Sequence, residues 1–185
     1  MPIPEEKQSF TYKDYITWDD DERRELINGI PYAMTAPLRS HQTVSSNLHR
    51  ELAGFLRDKP CVVYHAPFDV RLNADTNDDT VVQSDLLVIC DRSKLDERGC
   101  TGAPDMVVEI LSPSTIRHDR LIKFQAYQKA GVREFWIIDP DTRILQICLL
   151  ENGKYVVSMH GETDTVRVHV LDGCRIDLND IFADM

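Results

Sequence analysis

Two acidic residues stand alone in runs that are otherwise apolar: Asp85 in VVQSDLLVIC and Glu109 in MVVEIL. An ionised carboxylate is almost never buried unless a cation or a set of donors pairs with it. The chain must therefore cover both strands and still give both acids a partner. Strand alternation puts Gln83, Asp85 and Leu87 on one face, and Val107, Glu109 and Leu111 on one face. With the two strands side by side, the carboxylates converge. Converging acids want a divalent cation between them, and oxygen ligands suit Mg2+ or Mn2+. The plain alternative is that both acids point to solvent from half-exposed strands.

The pattern around these runs is mixed. Residues 9–18 read as a short helix or turn. RRELI and IPYAMT flank Asn28-Gly29, the dipeptide favoured in a two-residue hairpin turn, so residues 23–35 form a hairpin. Ser40 to Arg57 is helical, with Val44, Leu48, Leu52, Phe55 and Leu56 at spacings of three and four, Ser40 as N-cap and Pro60 beyond the end. Strand-like runs follow at 61–66, 68–72 and 80–90, then a polar loop at 91–103 and DMVVEIL at 105–111. A second helix, capped by Ser114 or Thr115, runs to Ala130 and stops at Gly131. EFWIID (134–139), RILQICLL (143–150), KYVVSMH (154–160) and VRVHVL (166–171) complete the set. Together they predict a mixed sheet with helices on it, an α/β (α+β) fold. At 185 residues one domain, 1–185, accounts for the chain.

On the second helix Asp119, Lys123 and Tyr127 are spaced i, i+4, i+8 and share a face. Ile122, Ala126 and Ala130 form a neighbouring apolar row that lies on the sheet. Lys123 then stands at the border of the buried face, where its ammonium reaches over the strand of Glu109. An ordinary surface Asp–Lys pair, worth roughly a few tenths of a kcal/mol, fits the same spacing.

The net charge of −10 bounds the partners. The overall field does not steer such a protein to nucleic acid, so any role there rests on a local basic patch or on metal ions. Arg71, Arg117, His118, Arg120, Lys123 and Lys129 supply a patch around the second helix, and Arg39 and Arg50 extend it if the first helix flanks the same cleft. The five cysteines are scattered, never in a C-x-x-C pair, and read as reduced thiols of a cytoplasmic protein without a zinc site. No apolar run approaches the roughly 20 residues of a membrane span, and MPIPEEKQSF is not a secretory signal. The absence of G-x-x-x-x-G-K-[ST], G-x-S-x-G and H-E-x-x-H leaves P-loop, α/β-hydrolase and zincin chemistry unsupported.

VVQSDLLVI, PDMVVEILSPST and RHDRLIKFQAYQKAGVREFWIIDP, in that order, resemble the Uma-type restriction endonuclease family, a branch of the PD-(D/E)XK nuclease superfamily. The resemblance runs from about Tyr15 to Ile181 and takes in RRELINGIPYAM and the helix at His41. It implies a restriction-endonuclease-like core with an added N-terminal hairpin and C-terminal strands. It makes Asp85 the first acid and Glu109 the second, holding Mg2+ with the Ile110 carbonyl as a third ligand. Two positions depart from the superfamily pattern: Ser84 stands where it has Pro, and Leu111 where it has Lys. In this branch a lysine on the following helix takes over, and Lys123 matches it. Glu25 matches as a further metal ligand or a group orienting a metal-bound water; an exposed hairpin acid beside Arg23 and Arg24 is the alternative. His41 and Gln42 match at the start of the first helix, where His41 either contacts a phosphate or merely caps and packs. Arg117, Arg120 and Tyr127 fall on the substrate side, and the remaining histidines are structural. The implied activity is metal-dependent hydrolysis of DNA by a homodimer, whose two sites cut two strands. Two rivals stay open: a silent protein-interaction module on the same fold, and a hydrolase of RNA or a small phosphorylated substrate.

Overall fold

The computed structural model describes residues 9–19, 22–113 and 118–185, with the backbone alone at His118 and Asp119. The expected turn within 9–18 is α1 (Tyr12–Tyr15). Asn28 and Gly29 take φ of 51° and 76°, as a type I′ turn demands, and fold β1 (Arg24–Ile27) onto β2 (Ile30–Ala33). The first long helix is α2 (Arg39–Leu56). It begins one residue before the expected Ser40 cap, with Leu38 at the N-cap position and no side-chain cap. Its buried stripe includes Val44, Leu48, Leu52 and Leu56, as the spacing predicts. β3 (Val62–His65) and β4 (Asp69–Arg71) follow.

Run 80–90 is not one strand. It is β5 (Val81–Val82) and β6 (Leu86–Ile89), parted at Gln83-Ser84-Asp85, and the halves join different sheets. Asp85 therefore sits in a break and not inside a strand. Hydropathy hid the break because both halves are buried. The polar loop 91–103 contains a 3-10 turn, Arg92–Lys94, and β7 (Gly99–Thr101), which runs parallel to β4. A Cβ at Gly99 would lie 2.0 Å from the Asp69 carbonyl oxygen, so only glycine permits that approach.

After β8 (Met106–Ile110), the expected second helix is a π-helical turn, His118–Lys123, continuing as α3 (Phe124–Ala130) and closed by Gly131 at φ 88°. The cap assigned to Ser114 or Thr115 lies outside the described residues. β9 (Glu134–Asp139), β10 (Ile144–Glu151) and β11 (Lys154–Gly161) form consecutive neighbours. VRVHVL does not extend this sheet. Only β12 (Thr165–Arg167) forms there; it pairs with β13 (Arg175–Asp177) in a separate ribbon that leads into α4 (Leu178–Ile181).

The large sheet has order β11-β10-β9-β8-β6-β3 and the small one β2-β1-β5-β4-β7. Both are mixed: β8 and β9 pair in parallel, which requires the crossover that α3 supplies, and the other pairs in the large sheet are antiparallel. One face of the large sheet packs Leu86, Val108, Trp136 and Ile147 against α2 and α4. The other packs Leu87, Val107, Phe135 and Ile137 against Tyr127 of α3 and against Ile27, Val70 and Val82 of the small sheet. Burial on both faces is why these strands read as near-continuous apolar runs.

Two features depart from the sequence reading. Val62 pairs with Ile89, which sets Cys61 opposite Cys90, and the two form a disulfide with S–S 2.08 Å. Scattered spacing concealed a cross-strand pair 29 residues apart. Cys100, Cys148 and Cys174 are free and buried, as expected, and burial pushes the Cys100 and Cys174 thiols up to about 11. Glu134 is a further lone acid in an apolar strand. Fully buried, it accepts from the Trp136 indole N–H at 2.8 Å and from the Val170 N–H at 2.9 Å, with His169 Nδ1 3.5 Å from Oε1, so its partners need no metal.

Candidate active site

Strand parity delivers acids from both sheets to the space between them. Glu25 alternates with Ile27 on β1, and Glu109 with Val107 on β8; Ile27 and Val107 belong to the shared inter-sheet core. Leu86 opposite Val108, carried one residue on, places Asp85 beside the position of Glu109. The Ile110 N–H donates to Asp85 Oδ2 at 2.7 Å, which fixes the carboxylate at the strand end. A cleft of about 320 Å³ opens here, lined among others by Glu25, His41, Gln42, Asp85, Glu109 and Lys123.

Lys123 ends the π-helical turn, a local widening of the helix that is common at functional sites. Its side chain is only 3% exposed. The ammonium lies 2.7 Å from Glu25 Oε1 and 2.9 Å from Glu109 Oε1. This is not the surface Asp–Lys pair that the helix spacing also allowed. Glu25 in turn accepts from the Gln83 N–H at 2.8 Å. At 2% exposure it is no exposed hairpin acid either.

Tyr127 is fully buried, so it does not face substrate as the resemblance implied. Its hydroxyl lies 2.5 Å from Glu109 Oε1, to which it donates, and 2.9 Å from Ser84 Oγ, which donates to it. Burial first, then the charge of Glu109, pushes its phenol well above the ordinary value, so it remains a donor across the neutral range. Ser84, the position that departs from the superfamily proline, thus anchors the tyrosine that holds the second acid. Tyr127→Phe keeps the volume and removes both bonds. We expect it to cost about 1–3 kcal/mol, read as a lower urea midpoint at unchanged slope.

His41, on the first turn of α2, has Nε2 3.1 Å from Asp85 Oδ2. A carboxylate only accepts, so Nε2 carries the hydrogen. Nδ1 is buried without a hydrogen-bond partner. Gln42 is exposed and lines the cleft.

Among the described residues, the expected basic patch does not gather at the cleft, where Lys123 is its one member. Arg120 is exposed and does not line the cleft, Arg71 is committed to Asp78 at 2.7 Å, and Lys129 lines a different cavity with Asn73 and Thr76. Arg117 lies outside the described residues. Several cleft residues carry no site role in the sequence reading, among them Arg23, Gln83 and His65. Arg23 lines the cleft and donates to Gln83 Oε1 at 2.7 Å. Gln83 also reaches Asp69 Oδ1 at 2.9 Å, and His65, expected to be structural, lines the wall. No local spacing marks them, because they meet only through the pairing of separate strands. Asp85 and Glu109, with the Ile110 backbone between them, offer oxygen donors alone, a set whose chemistry fits a hard divalent cation such as Mg2+ or Mn2+.

A family model, Uma2, described as "Putative restriction endonuclease", matches residues 12–179. An uncharacterized protein of Synechocystis sp. is 25% identical over 134 residues, 71% of this chain and 69% of that protein. A crystal structure from Anabaena variabilis, of "a putative nuclease belonging to DUF820", matches with a TM-score of 0.77 at 17% identity and covers 94% of this chain and 97% of the other. At that identity the likeness shows the fold, a mixed α/β arrangement with two mixed sheets. Among the described residues, no helix is long and apolar enough to cross a membrane.

Proposed function

Since the chain belongs to the Uma2 family, we propose that its cleft hydrolyses phosphodiester bonds of DNA with the help of a divalent cation. The observation that carries this reading is the buried Lys123 ammonium between Glu25 and Glu109, in a cleft that Asp85 also lines. Asp85 and Glu109 are the residues that would hold Mg2+ or Mn2+, with the Ile110 carbonyl as a third ligand. When bound, the cation supplies Lewis-acid stabilisation of phosphoryl charge and a water of lowered pKa.

The chain's own residues do the positioning. Tyr127 and Ser84 hold the Glu109 carboxylate, and the Ile110 N–H and His41 hold that of Asp85. Lys123 keeps Glu25 and Glu109 together and brings a positive charge to where a phosphodiester anion would sit. Gln42 and Arg23 line the wall and, on this reading, would meet substrate oxygens. One observation favours the silent interaction module instead: among the described residues, no three His, Cys, Asp or Glu side chains gather closely enough to hold a metal.

The test incubates the full chain with supercoiled plasmid, with RNA and with nucleotides, in Mg2+, in Mn2+ and in EDTA. We expect nicked or linear plasmid only when the cation is present. Cleavage of RNA or nucleotides without plasmid cleavage would replace DNA as the substrate. No cleavage and no cation-dependent thermal shift would hand the fold to the interaction-module reading.

A further inference from the structure

We propose that β11 pairs antiparallel with the β11 of a second copy of this chain, joining two six-stranded sheets into one. β11 is the outer strand of the large sheet. The two-residue turn Asn152-Gly153 makes Glu151 and Lys154 the hydrogen-bonded closing pair of the hairpin. By alternation, Val156, Ser158 and His160 also bond to β10, while Tyr155, Val157, Met159 and Gly161 direct their backbone groups away from the sheet.

The two end amides of that outer row are occupied. The Tyr155 N–H donates to Gln128 Oε1 at 2.9 Å, and the Gly161 N–H to Asp164 Oδ2 at 2.9 Å. Val157 and Met159 remain between them, their residues 46% and 61% exposed. Unblocked edge amides flanked by exposed apolar side chains are a template for strand addition.

The sequence of this edge is complementary to itself in one register. A two-fold axis at Ser158 sets Val157 of each copy opposite Met159 of the other as hydrogen-bonded pairs, closing four N–H···O=C bonds. The same register brings Lys154 of each copy to the turn that carries Glu162 of the other, just past the strand end at Gly161, twice. Glu162 already takes Arg143 at 2.7 Å, so each end becomes a three-charge cluster. A shift of one residue sets outward-bonding positions against inward-bonding ones. A shift of two needs the amide of Tyr155 or Gly161, both of which are taken. Self-complementarity of charge and of free amides is what selects a second copy as the occupant.

Sedimentation equilibrium on the full chain tests this without reference to catalysis. Wild type should reach twice the 21.2 kDa chain mass in the micromolar range. Lys154→Glu and Glu162→Lys each turn both ion pairs repulsive, and each should raise the dissociation constant about tenfold or more. An equimolar mixture of the two variants should recover the dimer, because in the mixed pair both contacts are attractive. Met159→Pro, which removes an outward amide and leaves the β10 pairing intact, should be monomeric. A wild type at 21.2 kDa up to about 100 μM, on the scale of weak association, overturns the proposal. So does a dimer indifferent to all three substitutions, or a mixture that fails to recover.

Discussion

Lys123→Ala is expected to cost about 3–5 kcal/mol of folding stability, far more than an exposed ion pair would. The ammonium is almost wholly buried and lies within 3 Å of two carboxylates that are as buried as it is. Removing it leaves Glu25 and Glu109 facing one another in a space of low dielectric with nothing in its place. Urea denaturation at neutral pH in EDTA measures the loss. Lys123→Met keeps most of the stem's packing and should lose nearly as much, which assigns the effect to charge. A loss under about 1 kcal/mol in both would place the lysine among ordinary surface pairs. The alanine variant should also gain more from Mg2+ than wild type does, because the cation no longer competes with the ammonium for Glu109. Cleavage should fall by orders of magnitude, since a preorganised charge at a reacting phosphate is worth several kcal/mol.

Asp85→Asn and Glu109→Gln should each lower phosphodiester cleavage by about a hundredfold or more, and each should lose most of the Mg2+-dependent melting shift. That shift is about 1.4 kcal/mol when Mg2+ stands at ten times its Kd. The two variants part in stability. The side-chain amide that Asp85→Asn introduces keeps an oxygen to accept the Ile110 N–H, so that variant should stay within about 1 kcal/mol of wild type. Glu109→Gln weakens one arm of the lysine clamp and should be the less stable of the two. Plasmid nicking rates and scanning calorimetry with and without Mg2+ measure both. Wild-type nicking by either variant would remove these carboxylates from the reaction.

Much of this arrangement is written in local pattern. Asn28-Gly29, the α2 stripe and Gly131 are short-range signals, and each element stands within a residue or two of its expected place. The lone acids were legible because burial without a partner is so costly. What pattern could not carry is the assignment of strands to sheets. Val81–Val82 and Leu86–Ile89 look like one strand, since the residues on both sides of Gln83–Asp85 are buried against different neighbours. The Cys61–Cys90 bond and the cleft positions of Arg23, Gln83 and His65 depend on that assignment and share its opacity. Tyr127 misled in another way. Helix spacing placed it beside Lys123 correctly, but nothing in the spacing says that its hydroxyl ends on Glu109 in the interior.

The break at Gln83-Ser84-Asp85 is, with the equally short Ala66-Pro67-Phe68, one of the two most direct covalent paths between the sheets, and the two ends of the lysine clamp lie on opposite sides of it. The clamp is thus a latch across a seam. Any excursion that parts the sheets must stretch Glu25 away from Glu109, and the same excursion admits water to the lysine. Seam opening and loss of the site are then a single cooperative event. The amides of β1 and β5 should exchange hydrogen at the rate at which the cleft comes apart, so exchange there becomes a clock for the integrity of the site.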